Sequence, residues 1–251
     1  MTTQSALAYA PAAGSHDGRI ILVTGAGDGI GQALALALAR QGATVGLLGR
    51  TQRKLVRTYD RIVEAGGPTP ALLPFNLETA TAPEYDAVHD ALDREFGRLD
   101  GLAHVAGILG DLSPVEQYDV PTWCKVLHVN LTAPFILTRT LLPLLRRSAD
   151  ASVVFTSSNI ARGARAFWGA YAASKFGTEG LMQVLADEMA GSTRIRVNSV
   201  NPGRVGTAMR RQAFPAEDPG LHPEPAEVVG PFLYLLGAAG QGVNGQAIDR
   251  P

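Results

Sequence analysis

The sequence has a single cysteine, Cys124, which excludes an internal disulfide and fits a reducing compartment. It has no surplus of charge either. Lys and Arg number 22, Asp and Glu 23, and the formal net charge of −1 leaves no basic footprint for nucleic acid. No apolar run approaches the roughly 18 residues that a membrane span needs. Residues 1–17, rich in Ala, Ser and Gly, lack the basic start and apolar centre of a secretory leader. The five histidines show no metal-ligand spacing, so no metal is expected. Together these absences point to a cytoplasmic protein whose partner is a small molecule rather than nucleic acid or membrane.

What is present is ample apolar material: 46% of 251 residues, enough to bury a core without staples. Short apolar runs at 19–24, 44–48, 71–75, 101–105, 152–156, 194–200 and 247–248 read as strands. Between them, residues 30–41, 52–65, 83–96, 121–147, 171–190 and 226–238 read as helices. Pro134 and Pro143 should kink or break the long 121–147 stretch. Residues 208–225 are rich in Pro and charge and read as a loop or lid. Strands alternating with helices imply parallel strands covered on both faces. The fold class is therefore α/β, a single-domain doubly wound parallel sheet of the Rossmann type. We expect a flexible tail over 1–17 and one domain over 18–251. Ligands of such sheets sit at the carboxyl ends of the strands, near the switch point.

A glycine-rich turn follows the first strand: Thr24, Gly25, Ala26, Gly27, Asp28, Gly29, Ile30, Gly31. Glycines let backbone approach a pyrophosphate closely, and the helix N-terminus offers free N–H groups to it. A plain strand-to-helix turn is the alternative, disfavoured by its place at the first βα junction. The second strand ends in Gly49 and Arg50, where an NAD site usually has an acid for the ribose 2′-hydroxyl. Arg50 suits a 2′-phosphate instead.

Tyr171 and Lys175 are four residues apart at the start of a helix and share a face. Ser158 lies just past the fifth strand, thirteen residues before Tyr171, with Ser157 as the adjacent alternative. Asn130 precedes them in the long helical stretch. Each alone is ordinary: a helix-face aromatic, a solvated charge, a turn serine, a buried amide. In this order, behind the glycine turn, the set resembles the Asn-Ser-Tyr-Lys tetrad of the short-chain dehydrogenase/reductase family. The match runs from about residue 19 to 249.

That resemblance implies an NADP(H)-dependent oxidoreductase that interconverts a carbonyl and an alcohol by hydride transfer. Tyr171 would be acid in reduction and base in oxidation, its phenol lowered from about 10 by the Lys175 ammonium. Ser158 would steady the carbonyl oxygen, and Lys175 would also hold the nicotinamide ribose. Asn130 would hold a water that links Lys175 to solvent. The resemblance also places cofactor contacts at Gly25, Gly27, Asp28, Gly29, Ile30, Arg50, Asn76, Leu77, Ala106 and Gly107. It continues them at Tyr171, Lys175 and the turn Pro202, Gly203, Val205 and Thr207. Segments around 109–111, 168–176 and 213–215 resemble the YciK-type bacterial oxidoreductases within the family. A homodimer or homotetramer is expected, paired through the helices that start at Pro121 and Tyr171.

Two positions depart from the pattern. Val105 stands where the fourth strand usually ends in Asn, and Asn76 where the third usually ends in Asp. They bear on cofactor affinity more than on the chemistry, and they keep open a dinucleotide-binding sensor or interaction protein without turnover. A dehydratase or epimerase on the same cofactor site is a further alternative. Ile108, Leu109, Phe167, Trp168, Met209 and Phe214 suggest a partly apolar substrate pocket. Arg162, Arg165, Arg204, Arg210 and Arg211 gather in sequence near the site and read better as solvated charge than as grips for an anion.

Overall fold

A computed structural model of the chain describes residues 2–250. The first strand, β1 (Ile20–Thr24), sets the pattern of the core. Every one of its side chains is buried, and successive ones point to opposite faces of the sheet. Ile21 and Val23 join one apolar cluster, Ile20 and Leu22 the other. A strand covered on both faces must be apolar throughout, which is why it reads as a continuous run.

The remaining strands are β2 (Thr44–Gly49), β3 (Ala71–Pro74), β4 (Gly101–His104), β5 (Ala151–Thr156), β6 (Ile195–Asn201) and β7 (Ala247–Asp249). Among the described residues these seven form one parallel sheet in the order β3-β2-β1-β4-β5-β6-β7. The chain builds outward from β1 to β3 and returns to the other side with β4, so the switch point lies between β1 and β4.

The α-helices, in chain order, are α1 (Thr2–Leu7), α2 (Gly29–Arg40), α3 (Gln52–Glu64), α4 (Ala82–Phe96), α5 (Val120–Leu127), α6 (Ala133–Arg146), α7 (Gly169–Met189), α8 (Ala208–Ala213) and α9 (Gly230–Leu236). α1, α2, α3 and α9 give their buried side chains to one face, and α4, α6 and α7 to the other. The doubly wound architecture expected from the sequence is the one observed.

Three local expectations are corrected. The segment before the sheet does not trail free. α1 packs on α9 with Ala6 fully buried, and buried His16 places Nε2 3.1 Å from the Leu233 carbonyl. An Ala- and Gly-rich composition suits a close-packed helix and turn as well as a loose tail. Residues 208–225 are not wholly irregular: α8 forms there, with the Thr207 hydroxyl oxygen accepting from Arg210 N at 3.2 Å as its cap. A six-residue helix is too short to show periodicity. Met1 and Pro251, the outermost residues of the expected tail and domain, lie outside the described residues.

The long helical stretch divides just ahead of Pro134 rather than at it. A π turn spans His128–Thr132, where Ala133 N reaches back to His128 O. Pro134 has no N–H to give the Asn130 carbonyl four residues earlier. The Thr178 hydroxyl, which donates to Ser174 O at 2.9 Å, lies 3.4 Å from that freed oxygen. Pro143 sits inside α6 without ending it.

Candidate active site

The site forms at the switch point, where β1 hands the chain to α2. Gly25 takes a left-handed φ of 71°. A Cβ on Gly31 would lie 2.3 Å from the Gly25 carbonyl oxygen, so the first turn of α2 packs directly on the glycine turn. The Asp28 carboxylate caps α2, accepting from Gly29 N at 2.8 Å. Lys54 lies 2.5 Å from it and, with that hydrogen bond foremost, holds the Asp28 carboxyl below its ordinary value.

Thr24 ends β1, and its hydroxyl oxygen accepts from both Val105 N and Ala106 N at 3.0 Å. This ties β1 to the end of β4 without a polar side chain at position 105. Val105 packs against the apolar cluster on the α2 side. Asn76 is exposed beyond β3, and its side-chain oxygen accepts from Glu78 N at 3.2 Å. Glu78 also stands 2.8 Å from the Lys125 ammonium and 3.8 Å from the exposed Arg50 guanidinium.

A cleft of about 820 Å³ runs along these carboxyl ends. Arg50, Lys54, Asn76 and Leu77 line one part, Gly25, Gly27 to Gly31 and Ala106–Gly107 the middle, and Ser158, Tyr171, Lys175, Pro202, Gly203, Val205 and Thr207 the rest. An extended dinucleotide fits this donor set: backbone free of side chains at the turn, cations at one end, titratable groups at the other.

Tyr171 and Lys175 occupy adjacent turns of α7, both buried. Lys175 Nζ donates to the Thr156 carbonyl at 2.7 Å and lies 5.7 Å from the Tyr171 ring centre. Burial pulls the Lys175 ammonium down to about 8, and the charge of Glu179, one turn further on, offsets part of that. The Tyr171 phenol moves opposite to expectation. Burial pushes it above 10, and its hydrogen bond to Ser158 recovers only part. Desolvation disfavours the charged form of either group, and no spacing in a sequence reports it. Ser158, rather than its buried neighbour Ser157, is the hydroxyl brought to Tyr171.

Asn130 projects from the π turn and is fully engaged. Its side-chain oxygen accepts from Ile108 N at 2.8 Å, and its amide donates to Ile108 O at 2.9 Å and Ser174 Oγ at 3.1 Å. It therefore fixes the loop after β4 against α7. His104 closes β4 beneath. Thr138 donates to Pro134 O at 2.7 Å, so it accepts from His104 Nε2–H at 2.8 Å. Burial holds the His104 ring at about 3, neutral, with the Lys175 charge acting the same way.

Several contributors carry no sequence signal. Glu179, buried on α7, accepts from Ser199 Oγ at 2.8 Å and pairs with Arg162 at 3.1 Å. Arg162 also meets Asp249 at 3.1 Å, Asp249 accepts from Asn201 Nδ2 at 3.0 Å, and Asn201 Oδ1 accepts from Gly203 N at 3.1 Å. This network braces the Pro202-Gly203 turn from below. Arg210 makes two 2.6 Å contacts to Glu217 and lies 3.8 Å over the Phe214 ring. Arg162 and Arg210, grouped in the sequence with the solvated arginines, are thus bound within the protein.

A family model described as short chain dehydrogenase matches residues 19–218. The oxidoreductase YciK of Escherichia coli is 46% identical over 241 residues, covering 96% of this chain and 95% of that protein. A short chain dehydrogenase structure from Pseudomonas syringae superposes with a TM-score of 0.95 at 51% identity, covering 96% of this chain and 98% of its own. A Shigella flexneri short chain dehydrogenase complexed with NADP superposes with a TM-score of 0.90 at 46% identity, covering 93% and 97%.

Proposed function

The chain belongs to the short chain dehydrogenase family, and from that premise we propose that it interconverts a carbonyl and an alcohol with NADP(H). The carrying observation is the buried Tyr171 phenol, hydrogen-bonded to Ser158 and beside Lys175, in the same cleft as a glycine turn that a side chain would block. The NADP-bound relative supports the choice of cofactor.

When bound, the nicotinamide supplies or accepts the hydride at the reacting carbon. Tyr171 gives a proton to the carbonyl oxygen in reduction and takes it back in oxidation. Ser158 hydrogen-bonds that oxygen and stabilises the charge that develops on it. Lys175, fixed by Thr156 O, presents its ammonium to the cofactor ribose and favours the phenolate as the base forms. Asn130 holds the Ile108 loop and, with Lys175, borders the path for a proton to solvent. Gly25, Gly27, Asp28, Gly29 and Ile30 seat the pyrophosphate, and Arg50 the 2′-phosphate. Asn76, Leu77, Ala106 and Gly107 flank the adenosine side; Pro202, Gly203, Val205 and Thr207 meet the carboxamide.

Titration with NADPH and NADH, followed by nicotinamide fluorescence and then by a carbonyl panel, tests this reading. Tight NADPH binding with turnover supports it, and failure to bind either cofactor rejects it.

We also propose self-association as a homodimer or homotetramer. Phe135 on α6 and Phe176 and Val184 on α7 leave apolar surface exposed, as an isologous helix-pair interface requires. Light scattering decides the stoichiometry. The exposed free thiol of Cys124 supports a cytoplasmic, reducing location, which cell fractionation checks.

A further inference from the structure

Beside Tyr171 the cleft changes character. Ile108, Leu109, Trp168, Met209 and Ala213 line it there. Leu109, Ile160 and Tyr171 belong to one small buried apolar cluster, with Trp168, Met209 and Ala213 packed against it. Trp168 meets the Tyr171 ring nearly edge-on, centres 5.9 Å apart at 65°. Its other aromatic neighbour is Phe214, also at 5.9 Å. Phe214 in turn lies under the Arg210 guanidinium, which Glu217 holds by two short hydrogen bonds. The indole is thus held from behind by a stacked, ion-paired support, as a wall for a bound molecule must be.

Two of the cations on this side are already paired. Glu217 takes Arg210 and also stands 3.0 Å from His222. Arg162 is shared between Glu179 and Asp249. A carboxylate placed against Trp168 would lose its water without gaining a partner there, and an unpaired buried charge is costly. Arg204, exposed on the turn before Val205, lines the cleft as well, as does Asp111 of opposite charge; a preference for the carboxylate ketones would make Arg204 their partner.

We propose that the substrate is an uncharged ketone or aldehyde whose carbonyl is flanked by a ring or similarly bulky apolar group, and that Trp168 sets this preference. The inference rests on the carbonyl–alcohol reading above. The reaction is carbonyl plus NADPH plus a proton going to alcohol plus NADP⁺, with hydride to carbon and the Tyr171 proton to oxygen.

The test is NADPH oxidation with matched ketones: acetophenone against its para-carboxylate, cyclohexanone against its ring carboxylate, and acetone as the small control. The neutral ring ketones are expected to be the better substrates by at least tenfold in kcat/KM. Trp168→Ala should lower kcat/KM for the ring ketones by roughly 10- to 200-fold, the range for lost apolar pocket contacts, and lower it for acetone by a clearly smaller factor. Trp168→Phe, which keeps an aromatic wall, should restore most of it and guards against misfolding as the cause. Preference for the carboxylates, or equal loss for acetone and ring ketones, overturns the substrate class and leaves carbonyl reduction standing. Tight NADPH binding without turnover of any ketone overturns both.

Discussion

Lys175 donates its ammonium to the main-chain carbonyl of Thr156, 2.7 Å away, so α7 is pinned to the end of β5 beside the phenol of Tyr171. Burial pulls this ammonium down to about 8. A lysine so shifted is charged below about pH 8 and neutral above it. If the charge holds the cofactor, NADPH affinity is full below that pH and declines as the pH rises through it. Fluorescence titration across pH should show this step in the wild type. Lys175→Met should bind weakly throughout and lack the step. A step that persists in the variant belongs to another group.

Tyr171→Phe should keep NADPH binding and lose turnover by roughly 10²- to 10⁴-fold, the usual worth of a general acid. The Ser158 hydrogen bond holds the buried phenol below where burial alone would put it. Ser158→Ala should therefore move the pH limb for alcohol oxidation to higher pH. Full activity in Tyr171→Phe would sink the assignment of the acid.

Arg50 is exposed and only loosely paired, 3.8 Å from Glu78, and thus free to turn to a phosphate. Arg50→Ala should weaken NADPH by roughly 10- to 100-fold, in line with a charge-assisted hydrogen bond of about 1.5–3 kcal/mol, and change NADH little. Glu78→Gln should act oppositely and tighten NADPH by removing a competing anion. Equal losses for NADPH and NADH in Arg50→Ala would remove it from cofactor choice.

His104 should make the fold acid-sensitive. Its folded pKa is near 3 and its unfolded value near 6.5. Between these the unfolded chain binds the extra proton, so stability is full above about pH 6.5 and falls as the pH drops toward 3. One such group is worth up to about 1.4 kcal/mol per pH unit. His104→Gln, which keeps a donor for Thr138, should flatten that slope between pH 6.5 and 4 in urea denaturation. An unchanged slope would assign the acid sensitivity to other groups.

Much of this was legible in the residues because it is local. The buried run of β1, the glycines before α2 and the Tyr171–Lys175 spacing each announce themselves within a few positions. What was not legible depends on distant contact or on burial. The Thr24 tie to Val105 and Ala106 spans the sheet. The Glu179–Arg162–Asp249 chain joins three separate segments. The direction of the Tyr171 shift follows from desolvation, which outweighs the Ser158 hydrogen bond and which no spacing makes visible. The fit of α1 against α9 was hidden because small residues serve a close contact and a loose tail equally well.

The π turn at His128–Thr132 makes segment length itself a determinant of the site. A regular helix turns about 100° per residue, so the extra residue in that turn sets the heading of Asn130. Deleting Val129 or Leu131 would let the helix run regular and swing the Asn130 amide away from Ile108 and Ser174, with every side chain of the tetrad still present. Here the site is vulnerable to insertion and deletion more than to substitution, much as a key is spoiled by shifting its teeth along the blade.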